Sequence, residues 1–261
     1  MPQKPARPHD VVAGPEVGGL TRALLGRRAE TAQLRGLIDG ADTAGGSLVL
    51  RGDPGIGKSA LLREAIDHAL HRGCLTLSTS GMPSERHLPF ATLHQLPGPA
   101  LRHTAQLAAP QRAALDHVLG LTAIGAPPPP FVVALATLEL LVEHASGQPL
   151  LLAVDDAHWI DEASLDVLLF VARRVRTERI VMVLATREPE TADGADPIGH
   201  ELTLQPLDDS DARRLLAAAH PTLPRAVTDR TLRMAAGNPL ALLELPRAVN
   251  SSTLDLSLIH I

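Results

Sequence analysis

The sequence predicts an α/β fold: a three-layer α/β/α core on a mainly parallel sheet, followed by a small helical lid. Three observations predict it. Short apolar segments of strand character alternate with amphipathic stretches of helical period, the pattern of a parallel sheet covered on both faces. A glycine-rich loop joins the first strand to the helix after it. From Asp208 onward the pattern is only helical. The 261 residues leave room for one large unit and a small companion. The expected layout is a disordered leader over 1–19, a core over 20–206, a lid over 207–250 and a tail over 251–261.

Taken in order, Leu20 to Ala41 reads as a turn and a helix, with Leu34, Leu37, Ile38 and Ala41 as its apolar stripe. Ser47 to Arg51 is a short buried strand. A helix follows from about Lys58 to His71, its pairs Leu61/Leu62, Ala65/Ile66 and Ala69/Leu70 repeating every four residues. Cys74 to Ser80 alternates as a second strand. Met82 to Gly120 is helical in places, with Pro83, Pro89, Pro97, Pro99 and Pro110 as breaks. Pro127 to Pro130 is a spacer, and Phe131 to Ala145 a helix. Pro149 to Val154 is an apolar strand closed by Asp155-Asp156. Glu162 to Val175 is a helix, Ile180 to Ala185 a buried strand, and Glu201 to Leu204 an edge strand. Helices over Asp208–Ala219, Arg225–Ala236 and Pro239 to about Leu245 form the lid.

The chemistry gathers at the loop. Gly52, Asp53, Pro54, Gly55, Ile56, Gly57, Lys58 and Ser59 match G-x-x-x-x-G-K-[ST] in full, with a strand before and a helix after. This makes the core a P-loop NTPase. Such a loop wraps phosphates with backbone N–H groups, so glycine is needed where side chains would intrude. The helix N-terminus, continuing through Ala60, adds partial positive charge. Lys58 is expected to reach the β- and γ-phosphates, and Ser59 to ligate Mg²⁺. Asp155, at a strand end, is the expected acidic partner of Mg²⁺. Asp156 is placed to orient or deprotonate an attacking water. An aspartate pair after a strand can also cap a helix, and Asp161 is a second candidate for that role. Arg187, just after another strand, is expected to sense the γ-phosphate. His158-Trp159 reads as packing.

Composition excludes several functions. The net charge of −5, without a basic run, does not favour direct nucleic-acid binding. No segment is long and apolar enough to span a bilayer, so no membrane role is expected. Cys74 is the only cysteine, which rules out an intrachain disulfide and fits a cytoplasmic location. The histidines show no metal-ligand spacing, and no G-x-S-x-G is present. Only Lys4 and Lys58 among 24 basic residues are lysine. A lysine in the loop stands against that bias, as expected where a compact ammonium is wanted.

Leu25-Gly26-Arg27-Arg28-Ala29-Glu30, the loop GDPGIGKS, VDDAHWID (Val154 to Asp161), ATRE (Ala185 to Glu188) and GNPLALLELP (Gly237 to Pro246) follow one another in a characteristic order. Over about residues 20 to 248 the chain resembles the ATPase module of large ATP-binding LuxR-family regulators. These are MalT-like members of the STAND class, related to AAA+ proteins. The resemblance implies a further strand between the loop strand and the Asp155 strand. It implies ATP as ligand, Mg²⁺ as cofactor, and a switch in which ADP favours rest and ATP favours self-association. It places Gly26-Arg27 near the adenine and Pro239 near the nucleotide. Full members also carry a helical-repeat sensor and a DNA-binding helix-turn-helix, which this sequence does not contain. The competing readings are a free-standing AAA-type ATPase or P-loop kinase, and a scaffold that binds nucleotide without turnover.

The last six residues, Leu256 to Ile261, resemble a translation of the transposon mosaic-end adapter used in sequencing libraries. The expectation is therefore a native frame cut near Asp255, against the alternative of an ordinary apolar tail. Source DNA departing from the adapter codons would refute it.

Overall fold

Apolar runs bounded by glycine, proline or charge become the strands. The computed structural model describes residues 24–96, 98, 100–122, 127–187 and 199–256. The strands are β1 (Gly46–Arg51), β2 (Leu75–Ser80), β3 (Leu150–Asp155), β4 (Ile180–Ala185) and β5 (His200–Thr203). They form one sheet in the order β2-β3-β4-β1-β5, with every pairing parallel. β4 thus lies between the loop strand β1 and the Asp155 strand β3, as the resemblance implies.

β1, β3 and β4 are buried on both sides, so their sequences are continuous apolar runs rather than alternations. The two-residue period of the pleat sorts β3 between two cores. Leu150, Leu152 and Val154 join one cluster; Leu151 and Ala153 join the other. The second cluster is covered by α1 (Arg28–Asp39) and α2 (Lys58–His71), through Leu34, Ile38, Leu61, Leu62, Ala65 and Ala69. On the opposite face lie α3 (Ala91–Gln95), α4 (Ala109–Val118), α5 (Pro130–His144) and α6 (Glu162–Ala172). β5 is the exposed edge strand, tied to β1 by an Arg51–Glu201 ion pair of 2.8 Å.

Several boundaries differ from the expectation for local reasons. Pro110 is not a break but sits in the first turn of α4, and Pro130 opens α5, where a missing N–H costs nothing. α6 ends at Ala172, and a separate 3-10 turn covers Val175–Thr177. The stretch 82–120 resolves into α3, a 3-10 helix over Ala100–Gln106, and α4.

The lid is a helical trio: α7 (Asp209–Ala219), α8 (Arg225–Ala235) and α9 (Pro239–Leu256). Leu207, Ala212, Ala235 and Leu242 form its small core. Asp208 caps α7, its side chain accepting from the Asp211 N–H. α9 does not stop at Leu245. It runs through Pro246 to Leu256, past the boundary expected at 250. The leader at 1–19 and residues 257–261 of the tail lie outside the described residues. Among the described residues, no helix is long and apolar enough to cross a membrane.

Candidate functional site

In a parallel sheet the carboxyl ends of the strands share one edge, and ligands bind there. β1 delivers the loop from Gly52, β3 delivers Asp155-Asp156, and β4 delivers Thr186-Arg187 to that edge. Gly52, Gly55 and Gly57 all adopt positive φ. The loop is pinned from below by Ile56, whose side chain is buried in the α1–α2 core; only its backbone is left to the site. Asp53 and Pro54 are exposed on the loop, and Ser59 and Ala60 lie in the first turn of α2.

Lys58 is 7% exposed and folds back into the loop, where its Nζ donates to the carbonyls of Gly52 at 2.7 Å and Asp53 at 2.9 Å. Burial pushes its pKa below the usual 10.5. Asp156, Asp155 and Asp53 pull the other way, and Arg187 adds to the lowering. One ammonium therefore feels both acids and the arginine of the site.

Asp155 has one carboxylate oxygen held by the Asp156 N–H, at 2.9 Å. Asp156 itself takes a left-handed backbone, φ 46, a conformation aspartate tolerates better than most residues. Gly81, at the end of β2, permits this turn: a Cβ there would come within 2.4 Å of the Asp156 carbonyl. The Arg187 guanidinium lies 5.5 Å from the Trp159 ring centroid. Asp161 is the helix cap, accepting from the Ser164 N–H at 2.9 Å; it also accepts from the Phe90 N–H at 2.7 Å and the Thr92 N–H at 3.1 Å.

The lid closes on the loop. Asn238 caps α9, its Oδ1 accepting from the Ala241 N–H at 3.2 Å, while its Nδ2 donates to the Pro54 carbonyl at 2.9 Å. The Leu240 N–H donates to the Gly55 carbonyl at 3.2 Å. Pro239 stands between these two contacts as the first residue of α9. Contact is so close that a Cβ on Gly55 would lie 2.7 Å from the Leu240 Cβ. Arg27 is 6% exposed and joins three segments. It donates to the Ile56 carbonyl at 3.1 Å, to the Gln205 carbonyl at 2.7 Å and to Glu30 at 3.2 Å. Its donors thus face protein acceptors, and its neighbour Gly26 packs against Leu207. A cavity of about 400 Å³, lined by Leu24, Leu25, Ala29, Asp211 and Arg214, opens between this segment and α7.

The donor set suits a nucleotide carrying Mg²⁺. Ser59 and Asp155 line a common cleft of about 360 Å³ with Arg63, Ser78, Thr79 and Gln95. No cluster of three or more His, Cys, Asp or Glu residues suited to a metal is found among the described residues. Mg²⁺ keeps several waters and takes one or two protein ligands beside substrate phosphates, a demand that a hydroxyl and a carboxylate such as Ser59 and Asp155 can meet.

The resemblance placed the motif Gly237-Asn238-Pro239 near the nucleotide but gave Asn238 no contact of its own. The signal was present, since Asn before a helix-opening Pro is a capping pattern. His158, read as a packing residue, does pack against Trp159, and burial lowers its pKa. It adjoins the site electrostatically, with Arg187, Asp156, Lys58 and Asp155 all acting on it. The Arg27 contacts, to partners 29 and 178 positions away, have no local signal.

Known proteins share the fold. The chain is 28% identical over 268 residues to an uncharacterized protein of Rhizobium meliloti (strain 1021). That alignment takes in 90% of the chain but only about a quarter, 26%, of the relative. Among solved structures it resembles Cdc6p of Pyrobaculum aerophilum, with TM-score 0.58, 15% identity, and coverage of 92% of this chain and 65% of that one. It also resembles a STAND protein with a tetratricopeptide repeat sensor from Pyrococcus horikoshii, with TM-score 0.53 and 16% identity. There the match covers 85% of this chain and 29% of the other. At these identities the likeness shows the fold, a P-loop α/β sheet with flanking helices. The family profile described as "AAA ATPase domain" matches residues 23–184, more than half of the chain, from the turn before α1 through β4. On that match, together with the loop, the acidic pair and the parallel sheet that carries them, the chain belongs to the AAA ATPase domain family.

Proposed function

We propose that this AAA-type module binds ATP with Mg²⁺ and hydrolyses it slowly, serving as the nucleotide switch of a LuxR-type transcriptional regulator. The observation that carries the proposal is the contact of α9 with the loop. Asn238 and Leu240 touch the carbonyls of Pro54 and Gly55, so filling the loop acts directly on the lid.

The loop amides and the α2 N-terminus hold the phosphates. Lys58 leaves the Gly52 and Asp53 carbonyls to meet phosphate oxygens. Mg²⁺, held by Ser59 and Asp155, would neutralise charge on the β- and γ-phosphate oxygens. Asp156 orients or deprotonates a water that attacks the γ-phosphorus in line, as the bond to the ADP oxygen breaks. Arg187 moves from Trp159 toward the γ-phosphate charge. The cavity walled by Leu24, Leu25 and Ala29, with Arg28, Glu30, Asp211 and Arg214 around it, takes the base without aromatic stacking. Self-association through this module in the ATP state is part of the same reading.

Lys58→Ala should abolish tight MgATP binding, and Asp156→Asn should keep binding but lose turnover. Unchanged affinity in the first would remove the site. Full turnover in the second would move the catalytic role elsewhere. A second reading, phosphoryl transfer to an acceptor, is favoured by the polar cleft of Ser78, Thr79 and Gln95 beside Asp155. Release of the γ-phosphate only as inorganic phosphate, whatever small hydroxyl compounds are added, would exclude it.

A further inference from the structure

His158 is the unexplained polar group of the site. Nδ1 and Nε2 of its ring are both shut off from solvent, and neither has a hydrogen-bond partner among the described residues. Native structures rarely leave buried polar atoms this way, and the exceptions concentrate where the group has a task. The ring sits in the 3-10 turn Ala157–Trp159, directly after the acidic pair. Nδ1 lies 3.9 Å from Oδ1 of Asp156, just outside hydrogen-bond reach. The ring centroid is 5.0 Å from that of Trp159, the same ring on which Arg187 rests.

The chemistry of these neighbours is complementary. Burial, and then the charge on Arg187, press the imidazole pKa below its usual 6.5, while Asp156 partly opposes them. The ring is therefore neutral at neutral pH, with one donor and one acceptor. A carboxylate only accepts, and a guanidinium only donates. The Asp156 backbone is already fixed, its carbonyl accepting from the Trp159 N–H at 2.8 Å. Side-chain rotation alone can bring its carboxylate to the ring.

We propose that His158 is a positioning residue that bridges the site when nucleotide is bound. Its Nδ1–H donates to the Asp156 carboxylate, and its Nε2 accepts from the Arg187 guanidinium. The bridge holds the carboxylate that faces the attacking water. It also draws Arg187 off Trp159 toward the γ-phosphate. The inference rests on the hydrolytic reading above and deepens it.

Two replacements separate bridging from packing. His158→Leu keeps bulk and removes both polar atoms; His158→Gln keeps a donor and an acceptor. MgATP affinity and steady-state turnover are measured for both, with Asp156→Asn and the unsubstituted chain alongside. For His158→Leu, affinity should stay within about threefold while kcat falls about 10- to 100-fold, the scale of a misplaced catalytic group. His158→Gln should recover a substantial part of kcat at unchanged affinity. Unchanged kcat in His158→Leu overturns the proposal. So does a His158→Gln as slow as His158→Leu, or a loss of affinity in both, which would mark a packing role. Undiminished turnover in Asp156→Asn, or none in the unsubstituted chain, fails the hydrolytic reading itself and removes the bridge with it.

Discussion

Replacing Arg27 by leucine should loosen the phosphate loop and the approach to the lid together. The guanidinium, 6% exposed, donates to the carbonyls of Ile56 and Gln205 and to the Glu30 carboxylate. Leucine fills part of the space but leaves all three acceptors unanswered. A hydrogen bond from a charged donor contributes roughly 1.5–3 kcal/mol. Breaking a buried ion pair from one side costs roughly 3–5 kcal/mol. The contributions overlap, so about 3–5 kcal/mol is the expected loss. In a domain of this size each kcal/mol lowers Tm by about 2–4 °C, so the melt should fall by roughly 6–20 °C. Arg27→Lys, able to satisfy only some of these acceptors, should fall between. The assay is thermal unfolding without nucleotide, paired with MgATP affinity. A fall under about 2 °C with a large loss of affinity would refute the reasoning, because the guanidinium would then act on the ligand and not on the loop.

Asn238→Ala removes a helix cap and the bond to the Pro54 carbonyl, together about 1.5–2.5 kcal/mol of lid docking. Hydrogen exchange at the Leu240 amide should quicken by roughly 10- to 70-fold, and an unchanged rate would contradict the latch. Asp161→Ala strips the acceptor from the N–H groups of Ser164, Phe90 and Thr92, and should cost about 3–5 kcal/mol in denaturant unfolding. A loss under about 1 kcal/mol would show that α3 does not depend on that carboxylate. The folded-state pKa of His158 lies below its usual 6.5, so between the two values the unfolded chain binds more protons. Stability without nucleotide should be complete above 6.5 and be lost as pH falls toward the folded value. His158→Leu should flatten that part of the pH–stability curve, and an unchanged curve would assign it to other groups.

The sheet and the phosphate loop were legible in the sequence because both are local. β3 and β4 are short apolar runs between breakers, the pattern of strands buried on both faces, and a loop that must expose its amides requires glycine at fixed spacing. The helix ends around proline were misjudged because the same residue opens helices and ends them. Pro110 and Pro130 open helices, and Pro246 lies within one. The side-chain network was the least legible part. Asp161 could be read as a cap from its three-residue reach to Ser164, but not as the anchor of Phe90 and Thr92, 71 and 69 positions away. Arg27 and Asn238 likewise act across the chain, on carbonyls that every residue possesses and no sequence pattern marks.

Trp159 is the only tryptophan, and the chain has no tyrosine. Nearly all of its near-ultraviolet emission therefore comes from one indole, which has the His158 ring centroid 5.0 Å away and the guanidinium groups of Arg187 and Arg86 at 5.5 and 6.0 Å. Any motion of Arg187 off that ring changes the charge felt by the excited indole, and so its colour and yield. The protein has a native chromophore beside Arg187 and the acidic pair. Stopped-flow emission, with no label attached, should resolve in time the order of binding, arginine movement and lid response.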